Sequence, residues 1–261
     1  MNITVICATS KPMPALPDAM YLPLHVGKNG QEGFGLKGDD TGDNISDKNY
    51  LYSELTGLYW AWKNIDADAI GLVHYRRYLT ARSRLGYRLR GKWNSLLTAQ
   101  QAERALRHAD VVLPRKRWYI IETSYSHLAN YLPECVPAFA RDYVKSLSPQ
   151  YAQAWDQAMN RRWQHNCNMF IMKKEVFDGY CTWLFDVLAH VEQQLDVQFY
   201  QRIKLRVMGY VSECLLDVWL TANGIRYVEK NRMFMEKRNN LGRIRYFLRR
   251  KFHGFCKKCK S

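Results

Sequence analysis

The run His74-Tyr75-Arg76-Arg77-Tyr78 sets an imidazole, a pair of guanidiniums and a pair of phenols side by side. Guanidiniums grip phosphate oxygens through paired, charge-assisted N–H bonds, so this group suits a phosphorylated ligand. A second such group follows at Arg115-Lys116-Arg117-Trp118-Tyr119. Each comes directly after a short apolar run, residues 69–73 and 109–113. Ligands of open α/β sheets bind beyond the carboxyl ends of strands. The two groups are therefore read either as one positive pocket at a sheet's rim or as two solvated loops.

The carboxylates that could complement them come late. Glu213 stands at the head of an apolar run, with Asp217 one helical turn on. An acid there either caps a helix or takes a proton from an alcohol. His165, Asn166 and Asn168 precede a strand-like stretch. Their donors and acceptors fit a ligand rich in hydroxyls or, equally, a structural polar turn.

Residues 44–64 are the element that must position the first group. Ser46 is an expected N-cap and Asp47 suits the first turn of a helix. Leu51, Leu55, Leu58, Tyr59 and Trp62 recur at helical spacing and mark a core face. Asp47, Tyr50, Glu54, Gly57 and Ala61 form a second line with little bulk at its end, either a ligand wall or a packing face. Residues 3–7 read as a first strand, followed by the small and hydroxylated Ala8-Thr9-Ser10 and by Lys11. That exit suits a nucleotide as well as it suits an ordinary loop. Pro12, Pro14 and Pro17 exclude a helix directly behind it. Gly33-Phe-Gly-Leu-Lys-Gly38 matches a dinucleotide fingerprint in letters only, since no clear strand precedes it and no helix follows. Asp39, Asp40 and Asp43 in the same loop read as a solvated turn, with Mg²⁺ or Mn²⁺ as the alternative.

The chain has 261 residues, enough for one α/β domain with a helical appendage. Lys and Arg number 39 against 24 Asp and Glu, a net charge of +15 that favours anionic partners. Seven scattered cysteines and the absence of a leader before the first strand point to a reducing, cytoplasmic setting. No apolar run is long enough for a membrane span. From Lys230 on, cations alternate with Leu241, Ile244, Phe247, Leu248 and Phe252. This basic amphipathic pattern belongs to an anionic membrane surface rather than to nucleic acid. The expected division is a domain over residues 1–229 and a membrane-association tail over 230–261.

The segments "NISDKNYLYSELTGLYWAWKN" and "GLVHYRRYL", with "YLPLHVGK", "HNCNMFIMKKEVFDGYCTWLF" and "RVMGYVSECLLDVWL", resemble a bacterial domain-of-unknown-function family of capsular and exopolysaccharide glycosyltransferases. The resemblance spans about residues 3–228. It implies a GT-A-like nucleotide-binding α/β domain with a central mixed, mainly parallel sheet. It also implies transfer of a hexose, in some relatives galactose or galactofuranose, from a nucleotide-diphosphate donor. Many GT-A enzymes carry a metal-binding Asp-x-Asp where this chain reads His74-Tyr75-Arg76-Arg77, so no metal cofactor is expected. On this reading Ala8, Thr9, Lys11, Asp47, Glu54, His74, Tyr75, Arg76 and Arg77 bind the donor. His165, Asn166, Asn168, Arg206 and Tyr210 bind the acceptor, a lipid-linked saccharide at the inner face of the cell membrane. Glu213, with Asp217 second, is the catalytic base. The rival readings are a basic nucleic-acid-binding protein and a non-catalytic membrane scaffold.

Overall fold

In a computed structural model of the chain, residues 1–203 and 205–236 are described. The expected basic tail helix lies outside them. The chain opens with β1 (Ile3–Thr9), β2 (Tyr21–His25) and the short β3 (Lys37–Gly38), then α1 (Asn49–Tyr52) and α2 (Leu55–Asn64). Next come β4 (Ala69–His74), β5 (Arg77–Thr80), α3 (Arg84–Arg90), α4 (Ala99–Leu106), β6 (Val111–Pro114) and β7 (Arg117–Trp118). A helical stretch of α5 (Ser124–Ala129), α6 (Cys135–Leu147) and α7 (Pro149–Asn160) leads to β8 (Trp163–Gln164) and β9 (Phe170–Lys173). The described residues close with α8 (Lys174–Gln193), α9 (Val197–Arg202), α10 (Val207–Ala222) and β10 (Tyr227–Phe234).

One eight-stranded sheet organises the molecule, and β7 and β8 form a separate two-stranded ribbon. β3, β2, β1 and β4 run parallel, as alternating strand and connection allow. Beyond β4 the sheet departs from the mainly parallel expectation. β9 lies antiparallel between β4 and β6, and β10 pairs parallel with β6 but antiparallel with β5. The physical reason is connection length. The chain turns back at Tyr75-Arg76, so β5 must run against β4, joined at His74–Arg77. A connection that short cannot make a parallel crossover.

Each face of the sheet buries its own core. One is built from α2, α6, α7, α8 and α10, with Trp60, Phe170, Phe177 and Tyr180 deep inside. The other packs Val5, Tyr78, Leu97, Leu106 and Ile171 on the opposite face. β10 continues to Phe234, past the expected domain boundary at residue 229, because its last residues pair with β5.

The expected single helix over residues 46–64 is interrupted. A 3-10 turn at Ser46–Lys48 and the one-turn α1 end at Ser53, whose φ of 52° breaks the helical path before α2 begins. Ser46 does not cap; its hydroxyl donates to Asp39. Asp39 is fully buried. Its carboxylate accepts from Gly27 N, Lys28 N, Ser46 Oγ and Thr56 Oγ1. The loop after β2, the 3-10 turn and α2 thus meet on one charge, which has no oxygen to spare for a metal. Asp40 pairs with Lys28, and Asp43 accepts from Tyr59. The small-residue face of α2 is a packing face: a Cβ on Gly57 would lie 2.7 Å from Val26 Cγ1.

Asp39→Asn keeps the volume but replaces charge-assisted acceptors with an amide facing four donors. It should destabilise the protein by about 2–4 kcal/mol. Urea unfolding measures this, and an unchanged midpoint would remove Asp39 from its organising place.

Candidate functional site

β1 and β4 run parallel, and their carboxyl ends open into a cavity of about 420 Å³. Ala8, Thr9 and Ser10 wall it from β1, and His74, Tyr75, Arg76 and Arg77 from the end of β4. Asn49, Ser53 and Glu54 enter from the break between α1 and α2. Arg206, Gly209, Tyr210 and Glu213 come from the first turns of α10, and Val26 from beyond β2.

The backbone around this cavity is strained in a concentrated way. Among the described residues other than glycine, only Ser53, Cys167 and Asn168 have positive φ, at 52°, 81° and 47°. Such conformations persist where the surroundings over-determine them, and they cluster at functional sites. Ser53 is fixed through its carbonyl, which accepts from Thr56 N, Asn49 Nδ2 and Thr56 Oγ1. Its hydroxyl is buried, has no hydrogen-bond partner, and belongs to the cavity wall. Gly209 faces it across the wall, where a Cβ would sit in ordinary contact with the Ser53 side chain at 3.7 Å.

Cys167 and Asn168 form the turn ahead of β9. The Cys167 carbonyl accepts from His74 Nε2 at 2.6 Å, and its backbone N–H donates to Glu213. Asn168 Nδ2 donates to Glu54 Oε1 at 2.9 Å and to the Gly209 carbonyl, while its own carbonyl oxygen accepts from Ser212. One turn therefore holds His74, Glu54 and Glu213 in register.

The charges follow from this packing. Burial raises the Glu213 carboxyl above the ordinary range, and the nearby Glu54 charge raises it further. The Cys167 N–H, Arg77 and Arg117 act against that rise. A carboxylate so placed is a stronger base than one in water. Burial lowers His74, so its imidazole is neutral near pH 7. With Nε2–H given to Cys167, it supplies an acceptor at Nδ1 rather than positive charge. The cations of the wall are Arg76, Arg77 and Arg206. Arg76 also reaches Glu236 at 3.4 Å.

The structure brings Ala8, Thr9, Glu54, His74, Tyr75, Arg76, Arg77, Arg206, Tyr210 and Glu213 to one cavity, and does not bring the other expected residues there. Lys11 is exposed, its N–H tied back to Thr9 Oγ1. Asp47 points to solvent from the 3-10 turn. Asp217 is buried one helical turn further along α10, away from the cavity lining. It accepts from both the backbone N and Nδ1 of His165, whose Nε2 faces Glu229 at 3.0 Å. His165 and Asp217 are thus structural partners tying α10 to β10. Asn166 accepts from Arg232 on β10. Asn168 acts from behind the wall through Glu54. Sequence reasoning placed Ser10 in the nucleotide-suited exit of β1 and missed Val26, Asn49, Ser53 and Gly209. A serine inside a helix-patterned run carries no mark of a helix break.

Together these features define a mixed α/β protein with an arginine-lined cleft and an inward carboxylate at the ends of its parallel strands. Residues 4–224 match the family described as "Domain of unknown function (DUF4422)", and the chain belongs to that family. Among solved structures it is similar to the apo structure of the WbbM bifunctional glycosyltransferase, with 29% identity and a TM-score of 0.79. That similarity covers 91% of this chain and 46% of the other, so the chain spans about half the length of that protein. Comparison with curated proteins finds no match. Among the described residues no helix is long and apolar enough to cross a membrane.

Because Glu213 has a raised native pKa, the cost of ionising it is absent below the ordinary carboxylate range and appears as pH rises through that pKa. Glu213→Gln should therefore raise Tm by a few degrees near pH 7.5. The gain should shrink toward pH 4, as read by calorimetry across that range. A gap independent of pH would show that ionisation is not its source.

Proposed function

We propose that this chain is a glycosyltransferase that moves a hexose from a nucleoside diphosphate donor, UDP-linked, to a hydroxyl of a saccharide. The observation that carries the proposal is the pairing, in one cleft, of Arg76, Arg77 and Arg206 with the inward carboxylate of Glu213. The similarity at 29% identity to a protein titled as a bifunctional glycosyltransferase supports the same class. The strand order β3-β2-β1-β4-β5-β10-β6-β9, with β9 also paired to β4, supports the GT-A-like reading, with the donor over the ends of β1 and β4.

The donor's base and ribose would rest along Ala8–Ser10, Val26 and Asn49. Its diphosphate would meet Arg77 and Arg76, whose guanidiniums stabilise the charge that grows as the sugar–phosphate bond breaks. Ser53 Oγ and Glu54 would take sugar or ribose hydroxyls. Glu213 would accept the proton of the attacking hydroxyl, so that an inverting displacement needs no free alkoxide. Arg206 and Tyr210, the latter stacked on Tyr131 at 5.4 Å, would line the acceptor side. The family resemblance sets His74-Tyr75-Arg76-Arg77 where many GT-A enzymes carry Asp-x-Asp, and on that ground the reaction is read as metal-free. The acceptor is a lipid-linked saccharide of capsule, O-antigen or exopolysaccharide synthesis. The enzyme works at the cytoplasmic membrane face, aided by the cationic tail.

UDP should raise Tm by several degrees in the presence of EDTA, as mass action requires of a ligand that binds only the native state. A shift that appears only with Mg²⁺ or Mn²⁺ would remove the metal-free reading. Glu213→Gln should lower turnover by about 100-fold or more while UDP still binds, measured by nucleotide release and calorimetric titration. Turnover at the native rate would exclude Glu213 as the base.

A further inference from the structure

α3 is built unlike the other helices of its length or longer: none of its residues is buried. Leu85 and Leu89, one turn apart, are 67% and 78% exposed, and Trp93 just beyond is 39% exposed. Only Tyr87 ties the helix to the domain by packing, half-buried against the core that holds Val5 and Tyr78, and both ends are pinned. Asn231 Nδ2 donates to the Arg82 carbonyl, and Lys92 Nζ donates to the Met235 carbonyl, each at 2.8 Å. Ser83 caps its start by accepting from Gly86 N. Met235 N in turn donates to the Arg76 carbonyl. The carboxyl end of α3 is therefore two hydrogen bonds away from the cleft wall.

Residues 82–92 carry Arg82, Arg84, Arg88, Arg90 and Lys92 and no acid. Exposed leucines amid cations on a pinned helix favour an anionic surface with an apolar interior. The alternatives fit less well. Residues 237–261 hold ten Lys and Arg and no Asp or Glu, so like charge opposes their settling on α3. The same repulsion opposes a second copy of this face. A nucleic acid would use the arginines but has no counterpart for a pair of leucines.

We infer that α3 is a membrane-docking element, which inserts Leu85 and Leu89 into an anionic lipid surface and sets the cleft mouth beside it. It is distinct from the tail. It rests on the transferase reading only for its purpose, which is to bring the cleft to a lipid-linked acceptor. Vesicle binding needs no turnover, so failure here leaves the transferase reading standing.

The test is cosedimentation of the full chain with phosphatidylcholine vesicles, with and without phosphatidylglycerol, and separately with a single-stranded oligonucleotide. The wild type should bind the anionic vesicles. Leu85→Ser with Leu89→Ser should cut the bound fraction by about tenfold, because affinity scales with the apolar area inserted. These side chains are exposed, so the melting temperature should not move. Arg84→Gln with Arg88→Gln should erase the preference for phosphatidylglycerol. Unchanged vesicle binding by the leucine variant would overturn the inference and leave the tail as the whole anchor. Binding of the wild type to oligonucleotide but not to vesicles would overturn it as well.

Discussion

The left-handed turn at Cys167-Asn168 is the constraint on which the cleft depends. Its carbonyl and amide are spent in opposite directions, one on His74 at the end of β4 and the other on Glu213 in α10. The Asn168 side chain then reaches Glu54 at the start of α2. A regular extended entry into β9 would aim these groups elsewhere, and the cleft would lose its register on three sides. Asparagine adopts left-handed geometry more readily than most residues, whereas Cys167 has no such excuse. The strain at Cys167 persists because the partners on both sides hold it, and Ser53 repeats the arrangement on the opposite wall.

The second dependence is electrostatic. The proposed transfer requires positive charge where a diphosphate would depart and negative charge where an alcohol would lose its proton, without the two annihilating each other. Here the backbone separates them. Glu213 takes an uncharged N–H from Cys167 as its hydrogen-bond donor, and Arg77 and Arg117 influence it only through space. Among the described residues Arg77 has no carboxylate at ion-pair distance, so its donors stay free for a ligand. Arg76 has only the half-exposed Glu236, a partner that solvent screens and a phosphate can displace. Glu54 is spoken for by an amide rather than a cation. Neutral tethers thus keep both signs available within a few residues of each other.

How far the sequence was legible follows from the same physics. The buried strands β1 and β4 showed as apolar runs, and the flip of polarity at His74 coincides with the end of β4 at the cavity. The helices around Pro149 and the apolar α8 and α10 were visible in their spacing. The hairpin into β5 was hidden, because a turn of Tyr75 and Arg76 has none of the Gly, Asn or Asp that usually announce one. The break at Ser53 was hidden too, since Asn49 and Thr56 enforce it from either side. Polar residues were the hardest to sort. Glu213 and Asp217 lie one turn apart on the same helix, and both could be a base. Their fates differ because Asp217 meets His165 in the interior, while Glu213 meets the cleft. That choice is made by long-range partners that no local spacing contains.

The placement of β10 ties these points to the membrane question. Because it lies between β5 and β6, residues 230–234 are sheet rather than tail. β10 runs parallel to β6, β6 antiparallel to β9, and β9 antiparallel to β4. The carboxyl ends of β4 and β10 therefore point the same way, and Met235 leaves the sheet beside Arg76. Whatever the cationic residues after it contact, they begin at the rim of the cleft rather than at its back. On the proposed reading, positive charge starting there would draw an anionic surface toward the open side, and α3 is held to the same rim through Lys92 and Met235. The direction of one strand thus puts the cleft and the start of the cationic segment at the same end of the sheet, as the proposed membrane reading requires.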